Sequence, residues 1–163
     1  MEVRHSVEED QILRRKEKEI TDIKEIESII QKSQVCRLAL ADEGLPYIVP
    51  LCFGYKNKML YFHSAKEGQK IDILRRNRQV CFEFDIDARV RSGKTACAWG
   101  MGYKSVIGYG TASLVEDSEE KQKALDIIMR QYSEGEFEYS AKNLAEMLVI
   151  KVDISAMTGK KSN

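Results

Sequence analysis

The sequence predicts an all-β core with flanking helices, an antiparallel barrel of six strands in the α+β manner. Six segments alternate apolar and polar residues with a period of two, and several are joined by short turn-type links. Helices do not alternate regularly with these strands, as a doubly wound parallel sheet requires. Closing antiparallel strands on themselves satisfies both observations and removes exposed edges.

The elements follow in order. Asp22 and Glu25 have capping-box spacing, and Ile23, Ile26 and Ile30 recur at helical spacing, so a short amphipathic helix comes first. From Val35, residues Cys36, Leu38 and Leu40 fall on one strand face and Arg37 and Ala39 on the other. Asp42-Glu43-Gly44 has turn chemistry, after which Tyr47 to Tyr55 alternate as a second strand, with Pro50 marking an edge or bulge. Lys56-Asn57-Lys58 links it to a third strand, Met59 to His63. Gln69 to Arg76 reads as a short helix, Gln79 to Asp85 as a fourth strand, and the residues up to Lys94 as a polar loop. Tyr103 to Val115 is a long fifth strand whose Gly108 and Gly110 share a face, where a partner or cofactor is expected to approach. Asp117 and Glu120 cap a helix with Ala124, Leu125, Ile128 and Tyr132 as its buried stripe. A helical stretch from Ser140 to Glu146 leads into a sixth strand over Leu148 to Ile154.

The 163 residues suit one domain, taken as 20–163 behind a loose, charged arm at 1–19. Lys plus Arg number 26 and Asp plus Glu 26, so no global basic field favours nucleic acid. No run approaches the roughly eighteen apolar residues of a membrane span, and Met1 to Asp10 are polar and acidic rather than leader-like, so a cytoplasmic protein with no membrane partner is expected. Cys36, Cys52, Cys81 and Cys97 are at least sixteen residues apart and read as buried free thiols.

The most informative stretch is His63-Ser64-Ala65-Lys66-Glu67-Gly68-Gln69-Lys70, where a strand ends and a helix begins. Free N–H groups and the helix dipole favour an anion there. Ser64 offers a hydroxyl, Lys66 and Lys70 offer charge, and Gly68 permits close backbone approach. The same residues also suit a capped surface helix with solvated lysines. His63 would present an imidazole beside such a ligand, as proton donor or orienter, or be a polar strand-end residue. With His5 in the arm and no cysteine near either histidine in sequence, no metal site is expected. Trp99-Gly100-Met101-Gly102-Tyr103 surrounds two glycines with rings, which suits a flat aromatic cofactor or a hairpin with core aromatics. The Gly100-x-Gly102 run precedes a strand rather than opening a helix, so it is not a dinucleotide fingerprint. Gly159-Lys160-Lys161-Ser162 lacks the first glycine and the helix of a P-loop. Lys160 is expected either as a mobile cation closing over an anionic ligand or as part of a frayed tail.

Taken together, Val35 to Leu40, Tyr47 to Tyr55, Tyr61 to Ala65 with Gly68 and Lys70, Trp99 to Gly110, and Met157 to Lys160 resemble the nitroimidazole-resistance proteins. Those belong to the pyridoxamine-phosphate-oxidase-like FMN-binding split barrels, and the resemblance covers Arg14 to Ser162. It implies a six-stranded antiparallel split barrel whose homodimer builds two FMN sites at the subunit interface. Pro50 and Leu51 would line the isoalloxazine edge, and His63, Ser64, Ala65 and Lys70 would contact ring, ribityl chain or phosphate. Trp99, Tyr103, Ser105 and Val106 would come from the facing subunit, whose close approach would explain the paired glycines. The implied activity is an FMN-dependent reductase passing hydride to a small nitroaromatic acceptor, with His63 as catalytic residue and Lys66 and Lys70 stabilising phosphate and reduced ring. Two alternatives stand beside it: a non-catalytic flavin carrier or redox sensor, and a haem-binding barrel with His63 as axial ligand. Pyridoxamine phosphate oxidation is disfavoured because the sequence offers no extra basic cluster for a second phosphate.

Overall fold

The computed structural model describes residues 16–162. Lys16–Lys18 form one 3-10 turn and Glu19–Ile20 a short strand, β1. Then come α1 (Ile23–Lys32), β2 (Cys36–Asp42), β3 (Leu45–Leu51), β4 (Gly54–Lys56), β5 (Met59–Ala65), α2 (Gln69–Arg76), β6 (Gln79–Arg91), β7 (Gly100–Val115), α3 (Ser118–Arg130), α4 (Ala141–Glu146) and β8 (Met147–Ser162). The strand order is β3-β2-β6-β7-β8-β5-β4, with β1 added on β8. Every pairing is antiparallel.

The ends of this path, β3 and β4, are separated in the chain only by Cys52 and Phe53, so the sheet must curl until its ends meet. No ladder joins them, and the barrel is split there rather than closed. Phe53 turns the corner. Its N–H donates not to a strand but to the Tyr132 hydroxyl at 2.9 Å, and that hydroxyl donates to the Gln34 carbonyl at 3.0 Å. Hence the predicted second strand breaks into β3 and β4, and the sheet has eight strands instead of six. Tyr132 is half-exposed rather than part of a buried stripe, because its ring edge meets Phe53 while its hydroxyl pins α3 to the corner. Burial and the neighbouring Cys52 push that hydroxyl's pKa up to about 12.

The core inside the curl is built on Phe53, Phe62, Phe82 and Phe84, with Ile29 and Ile30 of α1 and Ile71 and Leu74 of α2 packed into it. α3 lies outside, where Ala124 packs with Val115, Val149 and Tyr61, and Leu125 and Ile128 pack with Leu144. Gly54 lets α3 come this close, since a Cβ there would stand 2.6 Å from the Ile128 amide nitrogen. Gly108 and Gly110 also face inward: a Cβ would meet the Phe82 ring at 2.2 Å and the Asp153 carbonyl at 2.4 Å respectively. This corrects the expectation that they admit a partner or cofactor, because core packing and the β7–β8 bulge already fill that space.

Three strands run longer than their sequence suggests. β6 crosses a bulge at Asp87 and Ala88, where Asp87 takes φ +58°, and continues to Arg91 in place of the expected loop. Across it, β7 begins at Gly100, so the two strands form an arm reaching past the sheet. β8 continues through Lys160, which pairs with both Glu19 and Ser105 and is neither a mobile cation nor a frayed tail. Residues 1–15 of the predicted arm lie outside the described residues, whereas Glu19–Ile20 are held in the sheet. Asp22 caps α1 by accepting from the Lys24 amide, while Glu25 turns away to meet Lys104. The cysteines are free, but only Cys36 is fully buried, and burial pushes its thiol far above the usual range; Cys52 and Cys97 are exposed.

Candidate functional site

On β5 the pleat points Leu60, Phe62 and Ser64 inward and Tyr61, His63 and Ala65 outward. The exposed His63 lies opposite Val149 of β8, one turn of chain before α2. Ser64 is nearly buried and donates its hydroxyl to the Ala65 carbonyl at 2.9 Å, so in this state it is committed locally. Lys66 and Gly68 are exposed and Lys70 half-buried, and Gly68 takes φ +121°, a conformation that favours glycine. No side chain caps α2. The Ile71 and Asp72 amides both donate to the Gly68 carbonyl, at 2.9 and 3.1 Å, so the amides of Gln69 and Lys70 are the ones left for an anion such as a phosphate.

A second group lies on the outer face of the sheet. Tyr103, Ser105, Ile107 and Tyr109 alternate outward along β7, and Pro50 stands outward on β3, where a residue without N–H is tolerated at an edge. Leu51 turns toward the core opposite Cys36. Trp99 is 56% exposed at the far end of the arm, in the connection between β6 and β7. Val106 is fully buried, so its side chain cannot reach a ligand outside the barrel and only its main chain is left for the role the resemblance implied. Register sets the β7 residues apart from the His63–Lys70 turn: His63 pairs with Val149, which pairs with Val115, at the opposite end of β7 from Tyr103 and Ser105. The sequence-derived site is thus divided within one chain, with the turn at one end of the sheet's outer face and Tyr103 and Ser105 toward the other.

The face that carries the second half-site is unusually apolar. Register aligns Ile48, Ala39, Cys81 and Tyr109 in one row across four strands, and Pro50, Arg37, Glu83 and Ile107 in the next. Ile48 is 62% and Ile107 45% exposed. Arg37 bonds both Glu83 and Asp85 within this face, and its charge is thereby held, while burial raises the Glu83 carboxyl against the pull of Arg37. Sequence reasoning missed the Arg37–Glu83–Asp85 cluster, which only the β2–β6 register brings together.

A curled antiparallel sheet, split between two strands and flanked by helices, defines a split-barrel fold. Residues 22–161 match the pyridoxamine 5'-phosphate oxidase family, and the chain belongs to it. It is similar to a candidate 5-nitroimidazole antibiotic resistance protein of Bacteroides thetaiotaomicron, at 42% identity over 88% of this chain and 86% of that one, with a TM-score of 0.80. An FAD-binding protein of Mesorhizobium loti is 25% identical over 87% of this chain and 96% of that one, with a TM-score of 0.64. An FAD- and haem-binding protein of Mycobacterium smegmatis shares the fold at a TM-score of 0.81, covering 90% and 74%, with 18% identity. An uncharacterized protein of Rhizobium meliloti is 32% identical over 76 residues, 47% of this chain, and the match spans half the length of that curated relative. Among the described residues no helix is long and apolar enough to cross a membrane.

Proposed function

We propose that this chain is an FMN-dependent reductase that works as a two-fold homodimer on nitroaromatic acceptors of the nitroimidazole type, in the cytoplasm. The observation that carries the reading is the division of the site. The phosphate-fitting turn and the aromatic face do not meet within one chain, whereas a two-fold copy would set one against the other twice over. The row of Ile48, Ala39, Cys81 and Tyr109, with Ile107 beside it, gives such a copy an apolar surface to cover. The 42% identity to the candidate nitroimidazole resistance protein supports the acceptor class, and the FAD named for the 25% identical relative supports a flavin as cofactor.

In this reading the α2 amides, Lys66 and Lys70 hold the phosphate, Pro50 and Leu51 border the ring from one side, and Trp99 and Tyr103 of the second copy cover it. FMN, when bound, supplies the hydride chemistry. His63 stands exposed beside the ring's place and delivers a proton to the acceptor from its imidazole. Covering by the second copy excludes water, which strengthens each of these charge contacts.

Lys70→Ala is expected to weaken FMN binding roughly tenfold, the effect of losing one charge-assisted contact to a phosphate. Titration of flavin-free protein with FMN, followed by flavin fluorescence, measures it, and unchanged affinity removes Lys70 from the phosphate. Anaerobic mixing with a reduced nicotinamide and then a nitroimidazole separates enzyme from carrier. Flavin reoxidation that keeps step with loss of the nitro group is expected, and its absence makes the protein a carrier.

A further inference from the structure

At the root of the β6–β7 arm and along it the fold gathers cations that lie far apart in sequence. Beyond the bulge, Arg89 stands opposite Gly102 and Arg91 opposite Gly100. Residues two apart on a strand share a face, so both guanidiniums lie on one side of the arm. Each rests across a glycine: a Cβ at Gly102 would be 3.1 Å from Arg89 Nε, and one at Gly100 2.9 Å from the Arg91 guanidinium. Among the described residues neither arginine has an ion-pair partner.

Beside Arg89 opens a cleft of about 460 Å³ bordered also by Asp87, Tyr103, Lys104 and Ser162. Lys18 reaches its rim, donating to the Ser162 hydroxyl at 3.1 Å. Glu25 answers two ammonium groups at once, Lys104 at 3.3 Å and Lys161 at 3.9 Å. In the cleft wall itself Asp87 is the one carboxylate beside Arg89 and Lys104, and Glu25 engages Lys104, which leaves Arg89 the cation without an ion-pair partner among the described residues. This is the second basic cluster that the sequence does not reveal, because Lys18, Arg89, Arg91, Lys104 and Lys161 come from four separate segments.

We propose that this cleft and the arm beside it hold the phosphate groups of the electron donor, a nicotinamide dinucleotide, with Arg89 as the contact in the cleft wall and Arg91 as a second contact further along the arm. The guanidinium fork matches phosphate geometry, and the flat glycine backbone beneath each fork leaves room for a bulky anion to sit against it. Two arginines about 7 Å apart along a strand suit a ligand with more than one phosphate group. Tyr103 borders the cleft and also belongs to the proposed ring-covering half-site, so the cleft would adjoin the flavin in that reading. The identity of the ligand as electron donor rests on the proposed function; the anion site itself does not.

The test titrates the protein as purified with oxidised NADP and, separately, oxidised NAD, neither of which turns over. Calorimetry and the fluorescence of Trp99, the sole tryptophan, report binding. Combined Arg89→Gln and Arg91→Gln is expected to weaken NADP binding by about tenfold or more, with flavin content unchanged. A matching loss for NAD assigns the arginines to the diphosphate; a loss for NADP alone assigns them to the 2′-phosphate. Wild-type protein that binds neither nucleotide, or a double variant that binds both as tightly as wild type, overturns the proposal. Colourless protein that still binds NADP through these arginines keeps the anion site and defeats the flavin reading, whereas yellow protein indifferent to both nucleotides does the reverse.

Discussion

Phe53→Ala is expected to lower the stability of the fold by about 3–5 kcal/mol, which corresponds to a fall in melting temperature of roughly 6–20 °C for a domain of this size. Phe53 is fully buried, and its ring lies 4.8 Å from that of Phe84 and 6.5 Å from that of Tyr132. It also sits where the two ends of the sheet meet, so the cavity cannot be filled by a small shift of one strand: β3, β4 and α3 all abut the same corner. Urea unfolding monitored by circular dichroism measures the effect. A loss under about 1 kcal/mol would place the ring outside a packed core, because truncation of a buried phenylalanine costs several times that.

Ile107→Lys is expected to separate the proposed dimer while leaving each subunit folded. Ile107 pairs across the ladder with Glu83, so a lysine there faces an opposite charge within its own sheet, an arrangement that strands tolerate well. Against a second copy the same ammonium group would be taken out of water beside the apolar row of Ile48 and Tyr109, at a cost of roughly 2 kcal/mol or more, about a thirtyfold rise in the dissociation constant. Sedimentation at micromolar protein reads this directly, and flavin should be lost in parallel because each site needs both chains. A variant that stays dimeric and retains flavin would move the subunit contact to another face.

Much of this architecture was legible in the sequence, and the places where it was not share a cause. The His63–Lys70 junction could be read because its signals are local: alternation ends, a glycine follows, and a short apolar stripe begins at Ile71. β6 beyond Asp85 could not, because its exposed arm lacks an apolar face against the core and the bulge at Asp87 breaks the period. The end of β8 looked like a tail since only pairing with β1 and β7, distant in sequence, makes it a strand. Gly108 and Gly110 were correctly placed on one face, but a period of two does not say which face is the core; Phe82 decides that. The two half-sites were legible residue by residue. Their separation on one chain was not, since it depends on how far the sheet curls.

The visible absorption spectrum of the purified protein, with the cofactor extracted and its mass determined, tests the central claim most directly. Flavin bands and one FMN released per chain from a dimeric protein are the predicted result. A colourless monomer that takes up no added FMN, or a Soret band in place of the flavin bands, would contradict it.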